Sequence, residues 1–533
     1  MSTGAVTVAD SERRIFPLSY NWTEHQVSWN IEKVTKAKET CSCLYEELLL
    51  ELTEELNRYH SINWSSQQYR ILIGNWLASF IFILYDRWLG SDSLSFVDSD
   101  PWVQPATSFS ETNQAHLSDS YNYQLYLQLF HLKSGKQLAD IGFPSQLPCS
   151  TGYSLEDGPR ALVHLHGLYH TFGRWKLARR IYGNSIPHRL SGLATPLLIH
   201  KAPPTSVAVD AHWRRRVTDS SVTTFEEAAS LLVRAHLPVP FLEAFKSMRE
   251  SSLIGGPPFL FSSVSIQHDV HFKFLAAETH GRTRLLIHQH GGGYGLASSE
   301  RSEIFDRSVA DIFYTWGWIE DERTRPLPVP QRLPPRGIFK TPNKVLLTCV
   351  NYPRYPYKLD YIPMGLKNLT LIEQTIRFAL AINDLDLEIS YYPHDYGWNV
   401  QDRFSNAGVY APTKSQRTEN YKLHICNYLG TAWLETLARD VPTICFYDPE
   451  VNLFREKAQA HIDLLTAVGV LHTSPESAAE KVREVHEDPL RWWKTSELQE
   501  IRQAFVRQYA RLEEGWLDAW HEEFSRIVET TSD

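Results

Sequence analysis

Leucines recur at positions 44, 48, 52 and 56 of "LYEELLLELTEELNRYH", with glutamates on the other face. An i+4 stripe of this kind predicts an amphipathic helix that buries one side. After the turn "HSINWSSQ" comes "YRILIGNWLASFIFILYDRW", which is apolar nearly all round and predicts a helix enclosed on every side. The two would pack together in a helical cap. From 90 to about 150 the text is rich in Ser, Asp and Pro and only weakly periodic, so it predicts no definite element.

From 160 onward short apolar runs alternate with helical patterns. The runs are "RALVHLHGL" (160–168), "TPLLIH" (195–200), "PFLFSSVSI" (258–266), "RLLIHQ" (284–289), "KVLLTCV" (344–350), "LEISYYP" (387–393), "KLHICN" (422–427) and "PTICFYD" (442–448). Between them lie "FEEAASLLVRAH", "LTLIEQTIRFALAIN" and "AAEKVREVHEDP". Strand and helix in alternation predict parallel, doubly wound sheets covered on both faces. The Pro-rich stretch 325–342 fits neither helix nor central strand and reads as a semi-rigid linker. The expected division is a helical cap region at 1–150, belonging to the first domain, and an α/β domain at 151–330. A linker at 331–342, a second α/β domain at 343–500 and a C-terminal amphipathic helix or helix pair at 501–533 complete it. Two such domains place a cleft between the carboxyl ends of their sheets, where loops and helix N-termini converge.

Composition narrows the class. At 533 residues the chain is too long for one ordinary core. A net charge of −9 argues against a nucleic-acid partner. The longest apolar run, 71–84, contains Gly74 and Asn75 and is followed by Asp86 and Arg87. It falls short of the ~20 residues a membrane span needs and reads as a core helix. The first residues contain no apolar signal region, and six cysteines are too few for a disulfide scaffold. Cys41 and Cys43 have no second close pair to complete a zinc site. A cytoplasmic protein with reduced thiols is expected.

The segment "HQHGGGYGLASSE" (288–300) carries the first candidate chemistry. Its glycines do not make a dinucleotide fingerprint, and no Gly-Lys-Ser/Thr follows to make a phosphate loop. The "HGGG" string matches an esterase oxyanion loop, but the chain has no Gly-x-Ser-x-Gly nucleophile elbow. His288 and His290 share a strand face and could bind an ion, with His268 and His271 as further ligands, yet nothing in the sequence brings the pairs together. No metal is expected. What remains is a histidine at a strand end, with Gly291, Gly292, Gly293 and Gly295 leaving bare backbone for a substrate to approach. His290 can take a proton near neutrality, and Glu300 or Glu303 could orient it or act as the base instead.

In the second constellation, 422–448, a strand ends at Asn427 and a helix is expected from Thr431. Thr431 could cap that helix, whose positive end favours a phosphate. Glu435 lies one residue beyond the capping-box position and is left to accept from ribose hydroxyls. The loop "YYPHDYGW" (391–398) brings His394 and Asp395 to the same rim, and "NYPRYPYK" (351–358) brings Arg354 and Lys358 as cations for a phosphate or carboxylate. Trp316 and Trp318 of "FYTWGW" read as core or domain-closing aromatics.

Taken in order, "RILIGNWLASFIFILYDRW", "QHGGGYG" with its nearby Glu, "TWGW", "PHDYGW", "WLETLARDVPTICFYDP" and "HTSPESAAEKV…WW" resemble the transferases of surface-polysaccharide (O-antigen) loci first described in spirochaetes. The resemblance spans roughly 15–525. It implies a GT-B-like α/β fold, two Rossmann-like domains facing a cleft, distantly similar to bacterial β-Kdo transferases, sialyltransferases and glycerol-phosphate polymerases. It makes His290 the candidate base on the acceptor side. Thr431 and Glu435, with the "PHD" at 393–395, become the donor set. Two motifs depart from the family pattern: Ser390–Tyr391 stand where an Arg is usual, and "NYLGTAW" replaces a Ser/Thr-rich turn.

The expected activity is metal-independent transfer of a sugar from a nucleotide-activated donor, CMP-linked by slight preference, to a glycan or lipid-linked hydroxyl acceptor. The enzyme would need no cofactor and could sit peripherally at a membrane. A transferase of a nucleotide-activated polyol phosphate and a non-catalytic nucleotide-sugar-binding protein are the alternatives.

Overall fold

The Asn30 side chain accepts the Lys33 amide and starts α1 (Ile31–His60), whose Leu44, Leu48, Leu52 and Leu56 are all buried. A capping box between Ser65 and Gln68 opens α2 (Ser66–Gly90). In this computed structural model the described residues are 21–91, 101–135, 141–150, 153–155, 199–201, 204–215, 222–251, 259–330, 341–360, 364–409 and 421–531. The region without periodicity contains two further helices, α3 (Phe109–Leu117) and α4 (Asp119–Lys133). A Thr224–Glu227 capping box starts α5 (Phe225–His236). α2 is apolar all round because α1, α4 and α5 pack on it from one side and the first α/β unit from the other.

That unit is a parallel sheet of β1 (Phe259–Ser262), β2 (Arg284–His288), β3 (Ile312–Thr315) and β4 (Thr324–Pro326), in spatial order β1-β2-β3-β4. Between β1 and β2 runs α6 (Val270–Thr279), and between β2 and β3 runs α7 (Arg301–Val309); both pack against α2. The second sheet is also parallel: β5 (Thr341–Cys349), β6 (Leu387–Tyr391), β7 (Tyr421–Cys426), β8 (Thr443–Phe446) and β9 (Leu471–His472). Its order is β6-β5-β7-β8-β9. The strand order reverses between β5 and β7, which opens a crevice at their carboxyl ends, the place where such sheets bind ligands. Among its helices are α8 (Lys367–Ala381) and α9 (Thr431–Ala438).

The C-terminal segment is a helix pair. α10 (Ser496–Tyr509) packs on α9, while α11 (Trp516–Thr531) returns to the first sheet. There Trp520, Phe524 and Ile527 are buried with Phe259, Phe261 and Tyr314. Several expectations need correction. Ile199–Lys201, overlapping the end of the expected strand 195–200, pairs antiparallel with Tyr153–Leu155 instead of joining a parallel sheet. Thr341 and Pro342, read as linker, begin β5. The strands β3, β4 and β9 were not expected; β4 and β9 carry three and two residues, too few to stand out as apolar runs. The strand expected at 160–168 lies outside the described residues. Among the described residues no helix is long and apolar enough to cross a membrane.

Candidate active site

β2 ends in His288, whose ring is fully enclosed. Its Nε2 accepts from Trp316 Nε1 at 3.1 Å, and its Nδ1 lies 3.1 Å from Ser263 Oγ. Burial, with some help from His290, holds its pKa down to about 3, so this imidazole is neutral. Gln289 Oε1 accepts from the Trp316 amide (3.0 Å) and Trp318 Nε1 (2.8 Å), and its Nε2 donates to the Gly291 carbonyl (2.9 Å). The two tryptophans therefore fix the glycine loop from below. His290 is only partly buried and faces outward, with Nδ1 3.1 Å from Tyr294 Oη. Tyr294 Oη donates to Asp306 Oδ2 (2.9 Å), and Gln267 Nε2 donates to Asp306 Oδ1 (2.9 Å).

The glycines are bare for a reason the sequence did not suggest. A Cβ on Gly292 would stand 2.6 Å from the carbonyl of Gly430. One on Gly293 would meet Glu300 Oε2 at 2.8 Å, and one on Gly295, at φ +72°, would strike the Trp318 ring at 2.7 Å. At these three positions a side chain would strike other parts of the protein, while Gly291, Gly292 and Gly293 also line the cavity described next.

Between this loop and the switch point of the second sheet lies a cavity of about 390 Å³. His290, Glu300, Tyr352, Lys358, Tyr428 and Thr431 are among the residues that line it. The N-cap of α9 is Gly430, not Thr431 as expected, and among the described residues no side chain caps the helix. Its first N–H groups have no acceptor within the helix, and Gly430 and Thr431 both border the cavity. Glu435, one turn on, instead lines a second cavity of about 70 Å³ with His288, Gln289 and Trp316; His290 and Thr431 border both spaces. Asn427 is buried behind them. Its Oδ1 accepts the Val350 amide (3.1 Å) and its Nδ2 donates to Thr375 Oγ1 (2.9 Å), tying β5, β7 and α8 together.

Other candidates lie elsewhere. Glu303 is fully buried and borders neither cavity. It accepts from the Gly295 amide (2.9 Å), Arg455 Nη2 (2.7 Å) and Arg307 Nη1 (3.2 Å). Of the two glutamates Glu300 is the one that reaches the cavity, which Asp360 also lines. Burial, with Asp360 adding to it and Lys358 opposing, pushes its pKa up to about 7. Arg354 turns away to bind both oxygens of Asp119 on α4 at 3.0 Å and to cover the Trp22 ring. Lys358 is the cation in the cavity, 2.7 Å from Asp360 and 3.8 Å from Glu300. Burial works against its charge, but these two carboxylates hold its pKa well above the usual value. His394 and Asp395 are exposed and line neither cavity. Asp395 shapes its own loop by accepting the Asn399 and Val400 amides at 2.9 and 2.8 Å.

Sequence reasoning missed Tyr294, Asp306 and Asp360. Tyr294 stands four residues after His290 and Asp360 two after Lys358, which is the signal that could have found them. Among the described residues no group of three or more His, Cys, Asp or Glu is assembled for a metal ion.

No curated protein matches this chain. It is similar to several solved structures at low identity. MurG of Acinetobacter baumannii is 13% identical over 54% of this chain and 79% of that one, with a TM-score of 0.31. MnaA of S. aureus, solved with UDP, is 9% identical over 54% and 79%, with a TM-score of 0.35. TarM is 12% identical over 61% and 64%, with a TM-score of 0.34. A family model described as LIC12162 family transferase matches residues 19–524, from ahead of α1 into α11 and through every strand of both parallel sheets. The chain therefore belongs to the LIC12162 family of transferases.

Proposed function

We propose that this transferase moves a sugar from a nucleotide-activated donor to a hydroxyl acceptor, with His290 as the base. One observation carries the reading: His290 and the open N-terminus of α9 border the same 390 Å³ cavity, at the switch point of the second sheet. A proton acceptor and an anion-stabilising group on one cavity are what displacement at an anomeric carbon needs. The acceptor hydroxyl gives its proton to Nε2 of His290 while its oxygen attacks the anomeric carbon. The bond to the donor phosphate breaks, and the leaving charge is met by the amides of Gly430 and Thr431 and by Lys358. The helix end is worth about 0.3–2 kcal/mol to that charge. Lys358 takes the role expected of Arg354, and fixed dipoles with this cation stand in for a divalent metal. Glu303 has no part in this chemistry, because two arginines and an amide already hold it. Glu435 and the smaller cavity are assigned to the donor nucleoside. A CMP-linked donor, a surface-glycan acceptor of the O-antigen kind and a cytoplasmic site of action complete the reading.

A thermal-shift series with CMP, UDP, GDP, CDP and their sugars, with and without EDTA, tests it. A nucleotide at 100 times its Kd stabilises the protein by about 2.7 kcal/mol. The expected result is a shift with one nucleotide that Glu435→Ala abolishes and EDTA leaves alone. With that donor, His290→Ala should lower transfer by ~10²–10⁴-fold. Normal turnover in His290→Ala overturns the base assignment. Binding without transfer points to a non-catalytic protein, and turnover of a nucleotide-activated polyol points to phosphoryl-polyol transfer.

A further inference from the structure

Behind His290 the protein carries three polar side chains that the proposed transfer does not itself use. Tyr294 Oη is 3.1 Å from His290 Nδ1 and donates at 2.9 Å to Asp306 Oδ2; that same carboxylate oxygen is 3.8 Å from Nδ1. Gln267 Nε2 holds the other carboxylate oxygen at 2.9 Å and stands 3.4 Å from the Tyr294 hydroxyl. Asp306 is fully buried, and His290 is the member of the chain that keeps exposed surface. The line therefore runs from the cavity inward and ends on a carboxylate out of contact with solvent.

Resting on the reading of His290 as the base, we propose that Tyr294 and Asp306 form a buried relay behind it. In this relay Tyr294 fixes the imidazole with its Nδ1 proton inward, and Asp306 receives a proton when Nε2 takes one from the acceptor. The steps balance. The acceptor O–H bond breaks as an Nε2–H bond forms. The Nδ1 proton passes to Tyr294 Oη, whose own proton passes to Asp306 Oδ2. The acceptor oxygen closes its bond to the anomeric carbon, and the phosphate leaves with the electron pair of the bond it loses. Imidazole and phenol end neutral, and the one proton removed rests on the carboxyl group.

The surroundings of Asp306 suit a proton sink. The groups that face it are Gln267 from the segment before α6, Tyr294 and His290 from the loop, and Glu300 and Glu303 at the start of α7. Burial raises its pKa to about 8; hydrogen bonds from Gln267 and Tyr294 oppose the rise, and the two glutamates add to it. A carboxyl group of this kind keeps a proton near neutrality, whereas an exposed aspartate would release it. The relay is loaded for catalysis only while Asp306 is ionised, so transfer should rise with pH through about 8. Tyr294 and Asp306 act through the imidazole and are positioning residues.

Two measurements on the full-length protein test this. In protein labelled with ¹⁵N at histidine, long-range ¹H–¹⁵N spectra read the tautomer of His290 with no substrate present, its signal being assigned by loss in His290→Ala. The expected wild-type state above pH 8 is the Nδ1–H form, and Tyr294→Phe or Asp306→Asn, each nearly isosteric, should shift it toward Nε2–H. With the donor found above, each of these variants should lower kcat/KM at pH 9 by ~10²-fold. The double variant should lose little more than the worse single, because residues acting as one unit are not additive. The rise of kcat/KM near pH 8 should vanish in Asp306→Asn. A tautomer unchanged in both variants, or a pH limb unmoved by Asp306→Asn, overturns the relay. Normal turnover in His290→Ala overturns the base reading instead, and the tautomer spectra distinguish the two failures.

Discussion

A Cβ placed on Gly292 would meet the carbonyl carbon and oxygen of Gly430 at 2.6 Å and the Thr431 amide nitrogen at 2.9 Å. Backbone cannot rotate aside as a side chain can, so alanine there must push the His290 loop off the start of α9. The expected result for Gly292→Ala is a stability loss of about 1–3 kcal/mol, the ordinary cost of overpacking. Transfer should fall by ~10²-fold, as misplacing reacting groups by an ångström does. Urea denaturation and steady-state kinetics on one preparation check both, and a fully active variant would show that the contact does not set the reacting geometry. At this scale the sequence exposed the groups but not their partners. His290 and Thr431 were legible because strand ends and helix starts put them on a rim. Glu300 and Glu303 were not separable, since both sit at the start of one helix. The choice is made by Arg455, 152 residues away from Glu303, which reaches it at 2.7 Å. Arg354 and Lys358 stand four apart in one loop, and Asp119, 235 residues upstream of Arg354, removes the arginine from the cavity.

Elements follow a similar rule. α1 was legible because water faces one side and leaves a period in the sequence. α4 left none, because most of its positions are enclosed and its polar residues are bonded inside. Asn122 Oδ1 accepts from Arg87 Nε and Nη2 at 2.9 and 2.7 Å, and Gln124 Oε1 accepts the Trp102 amide at 2.9 Å. Gln128 lies 2.9 Å from His236 Nε2. A hydrophobic count reads such positions as solvent-facing. The centre of this layer is the buried pair Asp86–Arg87 at 2.5 Å, near the end of α2. Arg87 also donates to the Pro356 carbonyl at 2.9 Å, in the loop that carries Lys358. Arg87→Ala leaves a buried carboxylate with only Trp29 Nε1 beside it, and removing one partner of a buried pair costs about 3–5 kcal/mol. Replacing both members, as in Asp86→Leu with Arg87→Met, should recover most of that loss. Denaturant midpoints of the single and double variants decide it; a double variant as unstable as Arg87→Ala would mean the pair contributes more than its mutual compensation.

Across the whole molecule, burial shifts two sets of groups in opposite directions. His116, His236 and His288 are held down to about 3, chiefly by burial. They stay neutral in the fold while the unfolded chain protonates them below 6.5. The stability they contribute is complete above 6.5 and is lost as pH falls toward 3. Glu300 and Asp306 are raised to about 7 and 8, again chiefly by burial. The fold holds their protons where the unfolded chain has already released them, at 4.5 and 3.8. Their contribution is therefore complete below about 4 and is lost as pH rises through 7 and 8. The histidines lie where packing needs neutral rings, two of them in the helical layer and one under the glycine loop. The two carboxyls lie at the cavity and behind its base, where their ionised forms cost stability at the pH where the relay works. A site that holds strained charge for function should become more stable when that charge is removed. Glu300→Gln with Asp306→Asn should thus melt above the wild type at pH 9. The gap should narrow as pH falls and close only below about 4, where the unfolded wild type also keeps these two protons. Both proteins should also lose stability together below 6.5, as the three histidines take up protons on unfolding. Melting curves from pH 4 to 9 measure this directly. A gap independent of pH would mean that the two carboxyls ionise in the fold as they do in water, and it would remove the proton sink from behind His290.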